Sequence, residues 1–366
     1  MQYKNIYFFI GTTAELIKMM PVMHVCWRRG VPFQLVASGQ NDIRNSELLG
    51  LFGKNRPDVI LFEGNIRKSA ASLLFWFFKT FFRSIGVLKK SMRAAPGPSV
   101  MVVHGDTVST VMGAMLAKIH RMDVAHVEAG LRSFNYLHPF PEEIDRVITS
   151  RLANLHFCPN EWSLKNIRGL GGEKINTSEN TLRDALAMAQ ASPAFSSDPT
   201  LSIGRPYFVF VVHRQENLFN DRLVRSLVAK AIQQSKRDQC VFILHHLTEV
   251  ALVRLGLLDV LKKEAGVTLM KRLPYMDFMR VLGGAKYVVT DGGSNQEECY
   301  YLGKPCLILR NVTERMEGIG HNAVLSKLDD SVIDEFLRDP SIHQRTPTPA
   351  DFKASDLIVD RLAGIR

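Results

Sequence analysis

The chain has 366 residues, 46% of them hydrophobic, and a mean hydropathy of −0.02, which predicts a soluble globular protein with ample core. At roughly 100–200 residues per domain, two domains are expected. The net charge of +10 calls for an anionic partner. No nucleic-acid-binding motif accompanies it, so nucleic acid is excluded and an anionic small substrate or anionic lipid remains.

Five scattered cysteines (Cys26, Cys158, Cys240, Cys299, Cys306) without a CxxC pair argue against a disulfide framework or a zinc site and for a reducing compartment. Near the N-terminus, the apolar run 6–10 stops at Gly11, too short for the core of a signal peptide, so a cytoplasmic location is expected.

In chain order, residues 3–10, 33–37, 100–104, 124–127 and 155–158 read as strands. Between them 14–28, 46–52, 66–93, 107–120 and 141–153 read as helices. This alternation predicts an α/β fold with a doubly wound parallel sheet. A Ser/Pro/Ala-rich passage, 187–206, reads as a linker, after which strands at 207–212, 241–244, 267–270, 287–290 and 306–309 restart the pattern. The expected organisation is an N-terminal Rossmann-like domain, 1–186, rejoined by a C-terminal helix at 352–366, and a nucleotide-binding Rossmann-like domain, 207–351. Two such halves would leave a cleft between them, a favoured place for a ligand.

The chemistry-bearing residues fall where strands end. HGDT, HVEAGLRSFN and PFPEEIDR place Asp106, Glu128 and the pair Glu142–Glu143 at loops, the edge of a parallel sheet that binds ligands. Carboxylates crowded there can serve as general acid and base. In the second half, His213 opens HRQEN. Asp291-Gly292-Gly293-Ser294 forms a strand–turn–helix passage whose amides and helix dipole would converge on an anion. Thr313-Glu314-Arg315-Met316-Glu317 reads as a charged loop able to close over a ligand. Neither a Walker lysine motif nor GxGxxG is present, which ranks nucleotide hydrolysis and dinucleotide redox chemistry low. Phosphate-cradling amides opposite carboxylates suit a nucleotide-activated sugar.

These motifs, together with GTTAELIKMMPV, NTLRDAL, LGKP and TERMEG, resemble the non-hydrolysing UDP-N-acetylglucosamine 2-epimerase family of the GT-B fold superfamily. The resemblance runs over nearly the whole chain. It implies elimination of UDP from a UDP-2-acetamido sugar, reprotonation at C2 and re-addition, in the service of surface polysaccharide synthesis. It further implies Asp106, Glu128, Glu142 and His213 as the acid/base set. Lys18, Arg146 and His246 would line the sugar or phosphate site, Gly292, Gly293 and Ser294 would face the diphosphate, Arg315 could add a basic contact there, and Glu298 would hold the ribose. No cofactor and no metal are implied.

The chain departs from the family pattern at four places. Thr13 stands where the first loop has arginine, Asn41 where a histidine is found, Glu179 where a glycine precedes NTLRDAL, and Gly292-Gly293-Ser294 where the family writes Ser-Gly-Gly. The alternative reading is a GT-B glycosyltransferase using a UDP-sugar donor and a lipid-linked acceptor. Its support is the stretch 72–90, SLLFWFFKTFFRSIGVLKK. Phe75, Trp76, Phe78 and Phe82, with Lys79 and Arg83, are expected to meet an anionic membrane surface, peripheral at the inner face of the cytoplasmic membrane, or a second copy in a homodimer.

Overall fold

The computed structural model describes residues 2–63, 70–93, 96–136, 140–191, 203–313, 315–348 and 353–365. Strands with no polar face must be covered on both sides, and that condition decides the architecture. In Asn5–Ile10 (β1, NIYFFI) and Ser99–His104 (β4, SVMVVH) every residue but the first is buried. They lie side by side in a seven-stranded, wholly parallel sheet. Its order is β3-β2-β1-β4-β5-β6-β7, the others being Phe33–Ala37 (β2), Val59–Ile60 (β3), Asp123–Val127 (β5), Leu155–Cys158 (β6) and Glu173–Asn176 (β7). The helices of this unit are Thr13–Arg28 (α1), Ala70–Arg93 (α2), Val108–Ile119 (α3), Glu142–Leu152 (α4), Glu161–Asn166 (α5) and Thr181–Ala191 (α6).

A second parallel sheet has the order β10-β9-β8-β11-β12-β13, from Tyr207–Val211 (β8), Gln239–Leu244 (β9), Val267–Lys271 (β10), Val288–Thr290 (β11), Cys306–Ile308 (β12) and Ala323–Leu325 (β13). Gln215–Leu218 (α7), Asp221–Ser235 (α8), His246–Arg254 (α9), Leu258–Lys263 (α10), Tyr275–Gly284 (α11), Gly293–Tyr301 (α12) and Asp330–Arg338 (α13) complete it. The chain divides into two compact units, residues 1–185 with 351–366, and residues 186–350. The helix Lys353–Ala363 (α14) returns to the first unit. There Asp184 accepts from the Ser355 amide at 2.7 Å, and Arg29 pairs with Asp356 and Asp360.

Both strand orders reverse between the first and fourth strands of their unit. Ligands of open α/β sheets bind at such switch points, outside the carboxyl ends of the strands. In the first unit the loops there are GTTAE and HGDT, and in the second they are HRQEN and DGGS.

Several expectations are corrected. The segment 46–52 forms a 3-10 helix, Glu47–Phe52, opened by the Ser46 side chain and closed by Gly53 at φ 73°. The edge strands β3, β7 and β13 escaped sequence reading because two to four residues carry no period. α6 runs five residues into the expected linker because Ala187, Met188 and Ala189 are buried; residues 192–202 lie outside the described residues. Trp76, expected on the exposed face of α2, is instead buried against Phe62 in the core shared with Phe9 and Met112. It falls on the helix stripe Trp76, Thr80, Phe81, Ser84 and Leu88, spaced to face the sheet. Phe75, Phe78, Lys79, Phe82 and Arg83 occupy the opposite, exposed face.

α3 packs so closely on the sheet that a Cβ at Gly113 would stand 2.8 Å from the Phe9 ring and 2.9 Å from Val103 Cγ1. Gly113→Val is expected to destabilise the protein by about 1–3 kcal/mol through overpacking, read as a lowered urea midpoint at unchanged m-value.

Candidate active site

The loop after β1 is built around a buried carboxylate. Thr12 caps α1, and Glu15 reaches back to accept from the amides of Gly11 (2.5 Å) and Thr12 (3.0 Å), a reciprocal capping box. The same carboxylate accepts from the hydroxyls of Thr107 and Thr110 (3.2 Å), so it joins the GTTAE loop to the HGDT loop. Burial pushes Glu15 up to about 7 against the pull of these hydrogen bonds. Gly11 must be glycine for this approach, since a Cβ there would fall 2.1 Å from Ser109 Oγ.

Beyond β5 the backbone turns at Glu128 with φ 64°, a left-handed conformation that costs a non-glycine residue on the order of 1–3 kcal/mol. The side chain thus turned meets Lys18 of α1 and the Asn180 amide, both within hydrogen-bonding distance, with His104 Nε2 at 3.9 Å. Lys18, Glu128 and Asn180 are all buried. A Cβ at Gly105 would stand 3.7 Å from Glu128 Oε1, so Glu128 lies beside the loop that carries Asp106. Asp106 in turn pairs with Arg146 of α4. His126 lies behind this loop. Its Nε2 is 2.8 Å from the Gly105 carbonyl, which can only accept, so that nitrogen carries the proton; burial lowers the ring to about 4 and keeps it neutral.

The two glutamates of PEEIDR have different tasks. Glu143 accepts from Arg132 (2.5 Å), the Ser133 amide (2.9 Å) and the Phe134 amide (3.2 Å). Burial opposes its charge, but the Ser133 amide and Arg132 prevail and hold it below the usual carboxylate range. Glu143 therefore folds the preceding loop, while Glu142 stands at the helix start. Asp145, one turn on, is buried and pushed up to about 8 by burial and by the charges of Asp106 and Glu142.

In the second unit Asp291 organises the loops. Fully buried, it accepts from the amides of His213 (3.0 Å) and Arg214 (3.0 Å) and from Asn217 Nδ2 (3.0 Å). His213 Nδ1 lies 3.2 Å from Asp291 Oδ1, and its ring stacks on His245 at 4.7 Å. Burial lowers the pKa of His213, against the pull of Asp291, and burial with the charges of His213 and Arg272 lowers His245 to about 4. Gly292 caps α12, and a Cβ on it would stand 3.1 Å from His213 Cε1. Gly293 admits Arg315 over the same helix end, where a Cβ would meet Arg315 Nε at 2.9 Å. Arg315 pairs with buried Glu297, and Asn295 donates to Glu298 at 2.9 Å. Ser294 follows in the first turn of α12.

The structure thus groups Lys18, Asp106, Glu128, Glu142 and Arg146 in the first unit, and His213, Gly292, Gly293, Ser294, Glu298 and Arg315 in the second. His246 is exposed at the first turn of α9, and its neighbour His245 is the residue that meets His213. Asn180, His245 and Asp145 were not singled out from sequence, and Asp291 was read only as the start of the glycine turn. Asn180 had a signal, as the first residue of NTLRDAL, and His245 had one in the His-His doublet after β9. Among the described residues no cluster of His, Cys, Asp or Glu is arranged to hold a metal.

The family model for UDP-N-acetylglucosamine 2-epimerase matches residues 83–347. The chain belongs to the UDP-N-acetylglucosamine 2-epimerase family. A UDP-N-acetylglucosamine 2-epimerase of Campylobacter jejuni is 32% identical over 333 residues, covering 86% of this chain and 84% of the relative. That of Bacillus subtilis is 30% identical over 365 residues, covering 96% and 93%. The Methanocaldococcus jannaschii UDP-GlcNAc 2-epimerase, solved in complex with UDP-GlcNAc and UDP, superposes with a TM-score of 0.78 at 26% identity, over 98% of this chain and 99% of that one. The expected GT-B-like pair of α/β units is the fold of this family.

Lys18→Met would leave the buried Glu128 carboxylate without its cationic partner. It is expected to cost about 3–5 kcal/mol in denaturant unfolding, and Lys18→Met with Glu128→Gln to recover most of that loss.

Proposed function

We propose that the protein is a nucleotide-sugar 2-epimerase that interconverts UDP-GlcNAc, or a related UDP-2-acetamido sugar, with its manno epimer. The carrying observation is the set of ionisable groups at the carboxyl edge of the first sheet: Asp106 on Arg146, Glu128 on Lys18 and Asn180, and Glu142 at the α4 start. Epimerisation removes the C2 proton on one face while the C1–O bond to UDP breaks. A proton is then delivered to C2 on the other face as UDP adds back to C1, so atoms and charge balance without an external redox partner. Such a sequence needs a base, an acid and stabilisation of the departing diphosphate. Asp106, Glu128, Glu142 and His213 supply the acid/base groups. His213, held by Asp291 and kept neutral by burial, suits transfer near the leaving group. The α12 N-terminus with Gly292, Gly293, Ser294 and Arg315 takes the diphosphate, and Glu298 the ribose.

Incubation with UDP-GlcNAc in deuterated water is expected to give deuterium at C2 of both epimers by NMR. Asp106→Asn and Glu142→Gln should each slow this by about 10²–10⁴-fold. UDP-GlcNAc binding with no exchange at C2 overturns the reading.

The exposed face of α2 supports a finer reading of location. Leu74, Phe75, Phe78 and Phe82 stand in solvent beside exposed Lys79, Arg83, Lys89 and Lys90, and the helix has no acidic residue. Among the described residues no helix is long and apolar enough to cross a membrane. A second copy would oppose like charges across a two-fold axis, whereas an anionic bilayer takes both the rings and the cations. The protein is expected to co-sediment with phosphatidylglycerol vesicles but not with neutral ones. Phe78→Glu with Phe82→Glu should abolish this while sparing turnover of a water-soluble substrate. Indifference of the wild type to anionic vesicles overturns the reading and leaves the face to a subunit contact.

A further inference from the structure

Arg146 stands among several carboxyl groups. Glu143 has Arg132 as its own partner, with Arg146 Nη1 at 3.4 Å, and Asp106 takes Arg146 Nη2. Asp145 is 7% exposed, and among the described residues its Oδ2 meets no hydrogen-bond partner. The charged groups that face it are Asp106 from the loop after β4, and Glu142 and Arg146 from its own helix. Glu142 lies three residues earlier, on the same helix face. A buried carboxyl with one oxygen lacking a donor and two anionic neighbours is costly to ionise in a protein interior.

We propose that Asp145 keeps its proton at neutral pH and, as a positioning residue, thereby reserves Arg146 for Asp106 and fixes the charge of the Asp106–Glu142 pair. This deepens the epimerase reading and rests on it for its catalytic consequence. Neutral Asp145 adds no charge beside the reacting carboxyls. Once ionised, it competes with Asp106 for Arg146 and adds a negative charge beside both Asp106 and Glu142, so that each holds a proton more tightly. Burial first, then Asp106 and Glu142, pushes Asp145 up to about 8, with Arg146 opposing. The change therefore falls at mildly alkaline pH.

The test is Asp145→Asn, which reproduces the neutral shape of the protonated acid. In the wild type kcat/KM for UDP-GlcNAc is expected to fall about tenfold per pH unit above about 8; in the variant that limb moves to higher pH, with activity near neutrality preserved. Superimposable profiles overturn the proposal.

Two readouts do not depend on activity. Infrared difference spectra should show a protonated carboxyl band at pH 7 in the wild type that the variant lacks. The unfolded chain releases this proton near pH 4 and the folded chain near 8. Its contribution to stability is thus whole below pH 4 and is lost as pH rises to 8. The variant's stability relative to wild type should climb across that window and level off above it. Absence of both the band and the climb overturns the retained proton. Both present in a protein that does not exchange C2 would sink the epimerase reading and leave the retained proton standing.

Discussion

Parallel strands deliver their loops to one edge of the sheet, and those loops carry backbone amides that neither strand nor helix satisfies. In both units a buried carboxylate collects them. Glu15 binds Gly11 and Thr12 amides together with two threonine hydroxyls, Glu143 binds the Ser133 and Phe134 amides, and Asp291 binds those of His213 and Arg214. Each is costly to bury and rewarded only when all its donors are present, which makes the loop geometry cooperative. The groups proposed for chemistry stand on this frame. Glu128 can hold its left-handed backbone because Lys18 and Asn180 fix the side chain from two other elements.

The carboxyl group is used in three ways around Arg146. Glu143 is held ionised by the Ser133 amide and Arg132, Asp106 pairs with the shared Arg146, and Asp145 Oδ2 meets no donor among the described residues. The differences arise from how many donors reach each oxygen, not from the residue. This is how neighbouring carboxyls acquire separate proton affinities, the condition for acid and base to coexist.

Much of this was legible in the sequence for a physical reason. Doubly covered strands are continuous apolar runs, so β1, β4, β5 and β8 stand out, and their ends place Asp106, Glu128 and His213 at loops. What escaped depended on three-dimensional partners. The inward face of α2 could not be read because both its faces are aromatic, so Trp76 and Phe75 look alike until one meets Phe62. His245 and His246 are equivalent in sequence, and only the helix start at His246 turns one ring toward His213 and the other to solvent. The contrast between Glu142 and Glu143 required the position of Arg132.

The return of α14 to the first unit has a consequence for biogenesis. Its anchors, Asp184 on Ser355, Arg29 on Asp356 and Asp360, and the Leu362 carbonyl on the Tyr3 amide, join it to segments of the first unit made before the second unit. The second unit is continuous and emerges whole while the first still lacks its closing helix. On the ribosome the usual order, in which the N-terminal domain finishes first, is therefore inverted. The first unit waits, with α1 uncovered on that side, until the segment that forms α14 has been made.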